Sequence, residues 1–176
     1  MPDPARIAGR TGRWTCVAAA LACLIAGTAR AQDQPVVAAI EATYLTKFPA
    51  FVEWPPGGPT ALGVLAPDAI GRLIEQAESK LPAEAGPPTV QRLAPAMPAL
   101  GCGMLFVGDR DAHLPPLSPA TLVVTDQAAE GHKGVINFVI RDDRVRFEID
   151  DAEAARHGLI ISSKLLSLAV AVKPRA

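Results

Sequence analysis

Three uninterrupted apolar runs constrain this chain more than any other feature. Ala61-Leu-Gly-Val-Leu-Ala66, Met104-Leu-Phe-Val107 and Thr121-Leu-Val-Val-Thr125 each read as a strand apolar on both faces. Such strands are characteristic of a parallel sheet covered on both sides, because a sheet with one wet face alternates instead. Between the first two runs lies a helical pattern, with Ile70, Leu73, Ile74, Ala77 and Leu81 at i, i+3, i+4, i+7 and i+11. Asp68 stands where a cap would, and Pro82 with Gly86-Pro87-Pro88 ends the pattern. Val90–Leu93 is a weaker strand. The order implies an α/β domain with a mostly parallel sheet.

A hairpin closes the sheet over Val135–Asp150. Val145, Phe147 and Ile149 alternate with Arg146, Glu148 and Asp150, and the turn is Arg141-Asp142-Asp143-Arg144. Asp150 and Glu153 have capping-box spacing, and Gly158 suits a helix end. Ile160-Ile161 reads as a short extended link. Ser162 or Ser163 then caps a last helix carrying Leu165, Leu166, Leu168, Ala169 and Val172.

The densest aromatic stretch is Tyr44–Pro55, YLTKFPAFVEWP, with two of the five Phe, one of the two Trp and the one Tyr. A first helix is expected from Gln32 to Trp54, kinked at Pro49. Its apolar stripe would be Ile40, Tyr44, Phe48 and Phe51 or Val52. The plain reading is a core helix packed on the sheet. The alternative leaves the Glu53–Trp54 end exposed for a partner.

Residues 1–31 read as a cleavable secretory signal peptide. Arg6, Arg10 and Arg13 precede an apolar run over Trp14–Gly27, and Ala29-Arg30-Ala31 is a cleavage site. The run is too short to cross a bilayer comfortably. Residues 32–176 are then a single domain, long enough for a packed core at 49% apolar content. Without residues 1–31, 13 Lys+Arg face 17 Asp+Glu, a net charge of −4. That balance gives no electrostatic basis for binding nucleic acid. Cys102 is the one cysteine beyond that segment and reads as a small buried residue.

Catalytic patterns are not found. His113, His132 and His157 form no H-x-x-x-H pair, and each reads as a surface histidine, so no metal site is expected. Ser162-Ser163-Lys164 lacks the Ser three residues before Lys that an acyl-enzyme motif needs, since Ile161 stands there. No P-loop, dinucleotide fingerprint or nucleophile elbow occurs. The expectation is a non-enzyme without cofactor.

Two motifs carry a resemblance. One is Tyr44-Leu45-x-x-Phe48-x-x-Phe51-Val52-Glu53-Trp54-Pro55. The other runs through Gly134-x-Ile136-x-Phe138, Val145-x-Phe147-Glu148-Ile149-Asp150 and Ala154-Ala155-Arg156-x-Gly158-Leu159-x-Ile161-Ser162-Ser163-x-Leu165-Leu166-x-Leu168-Ala169. Together, over about residues 38–172, they resemble the YfiR-like periplasmic proteins. The resemblance implies a Rossmann-like three-layer domain in the periplasm, with a closing hairpin and C-terminal helices. It implies a repressor that binds the periplasmic sensor region of a membrane diguanylate cyclase or related sensor, lowers cyclic-di-GMP and restrains biofilm formation. Such proteins are often homodimers. The chain departs from the pattern in Pro49 within the signature helix, in Asp150 where Asn is usual, and in its lone Cys102, which leaves no internal disulfide pair.

The partner-binding residues expected from these readings are Tyr44, Phe48, Phe51, Glu53, Trp54, Leu165 and Leu166. The alternative function is a periplasmic small-molecule binding module feeding a membrane sensor, with its ligand at the carboxyl ends of the strands.

Overall fold

A computed structural model describes residues 35–176 except 57–60, 82–88, 95–96, 100, 110–112, 128, 130, 132 and 176. The expected signal peptide, the cleavage point after Ala31, the helix start at Gln32 and His132 lie outside the described residues. In chain order the elements are α1 (35–47), a 3-10 turn Phe48–Phe51, β1 (Val52–Glu53), β2 (Ala61–Leu65), α2 (Asp68–Glu78), β3 (Thr89–Arg92), β4 (Cys102–Val107) and β5 (Leu122–Thr125). Then follow β6 (Ile136–Arg141), β7 (Arg144–Asp150), α3 (Asp151–Arg156), β8 (Ile160–Ile161), α4 (Ser163–Leu166) and β9 (Ala171–Lys173).

Seven strands form one sheet in the order β3-β2-β4-β5-β6-β7-β9. The β3-β2, β2-β4, β4-β5, β5-β6 and β7-β9 pairs are parallel, and only the β6-β7 hairpin is antiparallel. The expected α/β architecture, mostly parallel with a closing hairpin, is what the chain adopts. The three apolar runs are its centre. Every residue of β4 and β5 is buried, as two covered faces require.

The two faces are packed differently. Met104, Phe106, Leu122, Val124, Ile136 and Phe138 join α1, α2, α3 and α4 in one cluster. Leu65, Cys102, Leu105, Val107 and Val123 form a second, closed by Leu93, Ala99, Leu117 and Ala129. The last four belong to connecting segments, two of which meet in the Ala99–Leu117 bridge. In the first cluster Tyr44, Phe48, Phe106, Phe138 and Phe147 interlock with ring centroids 5.4–6.4 Å apart. That spacing suits the stacked and edge-on contacts aromatic rings prefer.

The hairpin turns through Asp142 (φ 50°) and Asp143 (φ 55°), both left-handed. A two-residue turn of that kind matches the right-handed twist of its strands. Asp150 accepts from the Glu153 amide at 2.8 Å and caps α3, and Gly158 (φ 71°) closes it, as the spacing predicts.

Several local expectations are corrected. The first α-helix stops at Lys47 rather than Trp54. Pro49 lies in the first turn of the following 3-10 helix, where its missing N–H costs nothing. Val52-Glu53 is then free to become a strand. The buried stripe of α1 is Ala38, Glu41, Ala42 and Leu45, leading to Phe48, whereas Ile40 is 40% exposed. Asp68 does not cap α2. Pro67 occupies that place, and Asp68 lies in the first turn, where its charge suits the helix dipole. The last helix spans only Ser163–Leu166, and Val172 belongs to β9. His157 is not a plain surface histidine. Its ring lies 3.0 Å from the Pro119 carbonyl oxygen and 3.1 Å from Glu153 Oε1.

Candidate partner-binding surface

The amino-terminal signature and the C-terminal motif meet in a small antiparallel ribbon apart from the main sheet. Val52 pairs with Ile161 and Glu53 with Ile160. The Ser162 amide extends the ladder by donating to the Phe51 carbonyl at 2.9 Å. Side chains alternate along such a pair. Val52 and Ile161 are buried, so their neighbours Glu53 and Ile160 take the solvent side. Ile160 is 51% exposed there, while the residues on either side of it, Leu159 and Ile161, are buried.

Trp54 follows the ribbon and is half-buried. Its indole N–H donates to the Gly103 carbonyl across 3.3 Å. Phe51 is half-buried, with the Lys164 ammonium 5.8 Å from its ring centroid. Ser162 caps α4 by accepting from the Leu165 amide at 3.3 Å. That short helix turns Leu165 into the core and leaves Leu166 half-buried.

Of the seven expected residues, the structure gathers Phe51, Glu53, Trp54, Leu165 and Leu166 on the ribbon and its cap. Tyr44 and Phe48 lie in the aromatic cluster, Tyr44 half-buried and Phe48 fully buried. Only Glu53 is exposed. Sequence reasoning passed over Ile160 as part of a link. Its exposure follows from a period-two alternation that two residues cannot display until the strand they pair with is known.

Gly134, in the C-terminal motif, has a steric reason. A Cβ there would come 2.4 Å from the Val123 carbonyl oxygen. Asn137 stitches the same loop, accepting from the Gly134 amide at 2.8 Å and from Thr125 at 2.8 Å. Cys102 is fully buried, and burial raises its thiol pKa, which keeps it an inert thiol.

Glu41 was also missed. It is 2% exposed, and burial, with the charge and hydrogen bond of Asp126, pushes its carboxyl up to about 9. Among the described residues, no group of three or more His, Cys, Asp or Glu is placed to hold a metal ion. Nor is any helix there long and apolar enough to cross a membrane.

The model of the DUF4154 family, described as YfiR/HmsC-like, matches residues 38–170. No curated protein matches the chain. The match begins in α1 and ends just before β9, so it takes in the aromatic cluster, the hairpin and both halves of the ribbon. The chain belongs to the YfiR/HmsC-like family, one of periplasmic regulators associated with the control of diguanylate cyclases.

Proposed function

We propose that this protein is a periplasmic signalling repressor. It is exported by a signal peptide cleaved after Ala31 and forms a homodimer. It binds the periplasmic sensor region of a membrane diguanylate cyclase or a related sensor, and so lowers cyclic-di-GMP and restrains biofilm formation. The observation that carries the reading is Ile160, a large apolar side chain 51% exposed and paired with exposed Glu53, in a chain of this family. The contact surface is Glu53 and Ile160 with the outer parts of Phe51, Trp54 and Leu166. An apolar centre with a polar rim is the usual anatomy of a protein–protein interface. Tyr44, Phe48 and Leu165 hold this surface in place from beneath.

The test is complementation of a deletion strain in the native host. Wild-type protein should lower cyclic-di-GMP, and Ile160→Asp, at equal abundance and melting temperature, should fail to. Equal repression by Ile160→Asp would overturn this surface. No change in cyclic-di-GMP with either protein would overturn the repressor reading.

A further inference from the structure

Asp151, the first residue of α3, is a buried carboxylate whose donors come from the end of the chain. Its Oδ2 accepts from Arg175 Nε at 2.7 Å and its Oδ1 from Arg175 Nη2 at 2.9 Å. The same Nη2 donates to the Leu159 carbonyl at 3.1 Å. Two side-by-side N–H bonds to one carboxylate are a fork that a guanidinium makes and an ammonium cannot. Both oxygens of Asp151 and the Leu159 carbonyl thus outline a receptacle for one planar cation. Asp151 is 7% exposed and Leu159 is fully buried, so the core holds these acceptors in place.

The occupant is held more loosely than the site. Every residue from Ala171 to Arg175 is exposed. β9 pairs with β7 over three residues only, at the edge of the sheet. Pro174, between β9 and Arg175, has no amide to donate. Lys173 adds a 2.8 Å pair with Asp150, but its side chain is 63% exposed, where such a pair contributes little. A short exposed chain end of this kind opens at small cost, and each opening leaves a buried carboxylate without its donors. We propose that Asp151 and the Leu159 carbonyl form a guanidinium-binding site, filled by the chain's own tail and open to a guanidinium from outside when the tail lifts. The ligand class is an arginine side chain of another polypeptide or a small guanidino compound. Leu159 directly precedes Ile160, so the site adjoins the contact surface described above. It stands on its own hydrogen bonds and not on the repressor reading.

Thermal unfolding of Arg175→Ala in the whole protein tests this. Loss of the buried pair should lower Tm by about 5 °C or more. Methylguanidinium at about 30 mM should then raise the Tm of the variant by about 2 °C, as filling a site with a dissociation constant of about 10 mM does. Methylammonium, a charge without the fork, should raise it less than half as much. The wild type, its site already filled, should show no rise, and adding Asp151→Asn to Arg175→Ala should abolish the response. Arg175→Gln serves if Arg175→Ala does not fold. The free peptide of residues 173–176 at the same concentration separates the two sources. A rise larger than methylguanidinium gives assigns the site to an arginine of a polypeptide, and an equal or smaller one to a small guanidino compound. No rise in the variant with either guanidinium, or a rise matched by methylammonium or by the wild type, would overturn the site.

Discussion

The indole nitrogen of Trp54 donates across 3.3 Å to the backbone carbonyl of Gly103, where β2 and β4 slip register. Ala61 pairs with Cys102 but Leu62 pairs with Met104, so Gly103 is an extra residue in β4. A bulge leaves such a residue out of the ladder, and a carbonyl in a covered sheet needs a donor from elsewhere. Trp54 supplies it, and in doing so pins the β1–β8 ribbon to the sheet.

Trp54→Phe removes this donor together with the pyrrole part of a ring packed against the core, so the bond sets a lower bound on the loss. The expected cost is at least about 1 kcal/mol in urea unfolding, the usual size for one neutral hydrogen bond. Partner capture, corrected for that loss, should persist because the N–H faces inward. A variant as stable as the wild type would mean the bond contributes nothing.

Gly134→Ala should be among the most damaging small substitutions in the chain. The added methyl would meet the Val123 carbonyl at 2.4 Å, and backbone in a central strand cannot withdraw cheaply. Overpacking of this kind typically costs about 1–3 kcal/mol. Thermal unfolding of the purified variant reads it directly, with Gly131→Ser a poor substitute because nothing crowds that position and its strain is in φ alone.

Asp143→Gly should stabilise the protein by about 0.5–1 kcal/mol. Asp143 holds φ at 55°, which a side chain tolerates poorly and glycine adopts freely. The greater freedom of glycine in the unfolded chain offsets part of the gain. Chemical denaturation comparing the two proteins settles the sign, and a loss of stability would show that the Asp143 side chain contributes to the turn.

Stability should fall as pH rises, and Glu41 should be a main cause. Its carboxyl pKa is about 9 in the fold against 4.5 for an unperturbed group. The folded state therefore holds a proton that the unfolded state releases. This contribution is fully present below about pH 4.5 and is lost progressively towards pH 9, at up to about 1.4 kcal/mol per unit. Glu41→Gln should flatten that slope and leave the variant more stable than the wild type at pH 8. Parallel pH profiles for the two proteins would place the cause elsewhere.

The architecture was legible in the local pattern of the chain. Ala61–Leu65, Met104–Val107 and Leu122–Thr125 are apolar at every or nearly every position, and only a sheet covered on both faces suits them. Val145, Phe147 and Ile149 announced a hairpin by alternation, and Asp150, Gly158 and Ser162 marked helix ends, because caps and turns are local chemistry. The two signature motifs pointed to the family for the same reason.

Tertiary structure decided what depends on distant pairing. Ile161 is buried and Ile160 exposed because Val52 and Glu53, from the opposite end of the domain, fix which face of the ribbon points inward. Two residues carry no period of their own, so nothing local separates the two isoleucines. The same holds for α1. Glu41 faces inward and Ile40 outward because Phe48 must dock among Phe138 and Phe147, and that anchor sets the rotation of the whole helix. Val172 is a strand residue rather than a helical one because β7 offers a free edge beside it. In each case the deciding energy lies in a contact with a residue far along the chain, where local propensity has no view of it.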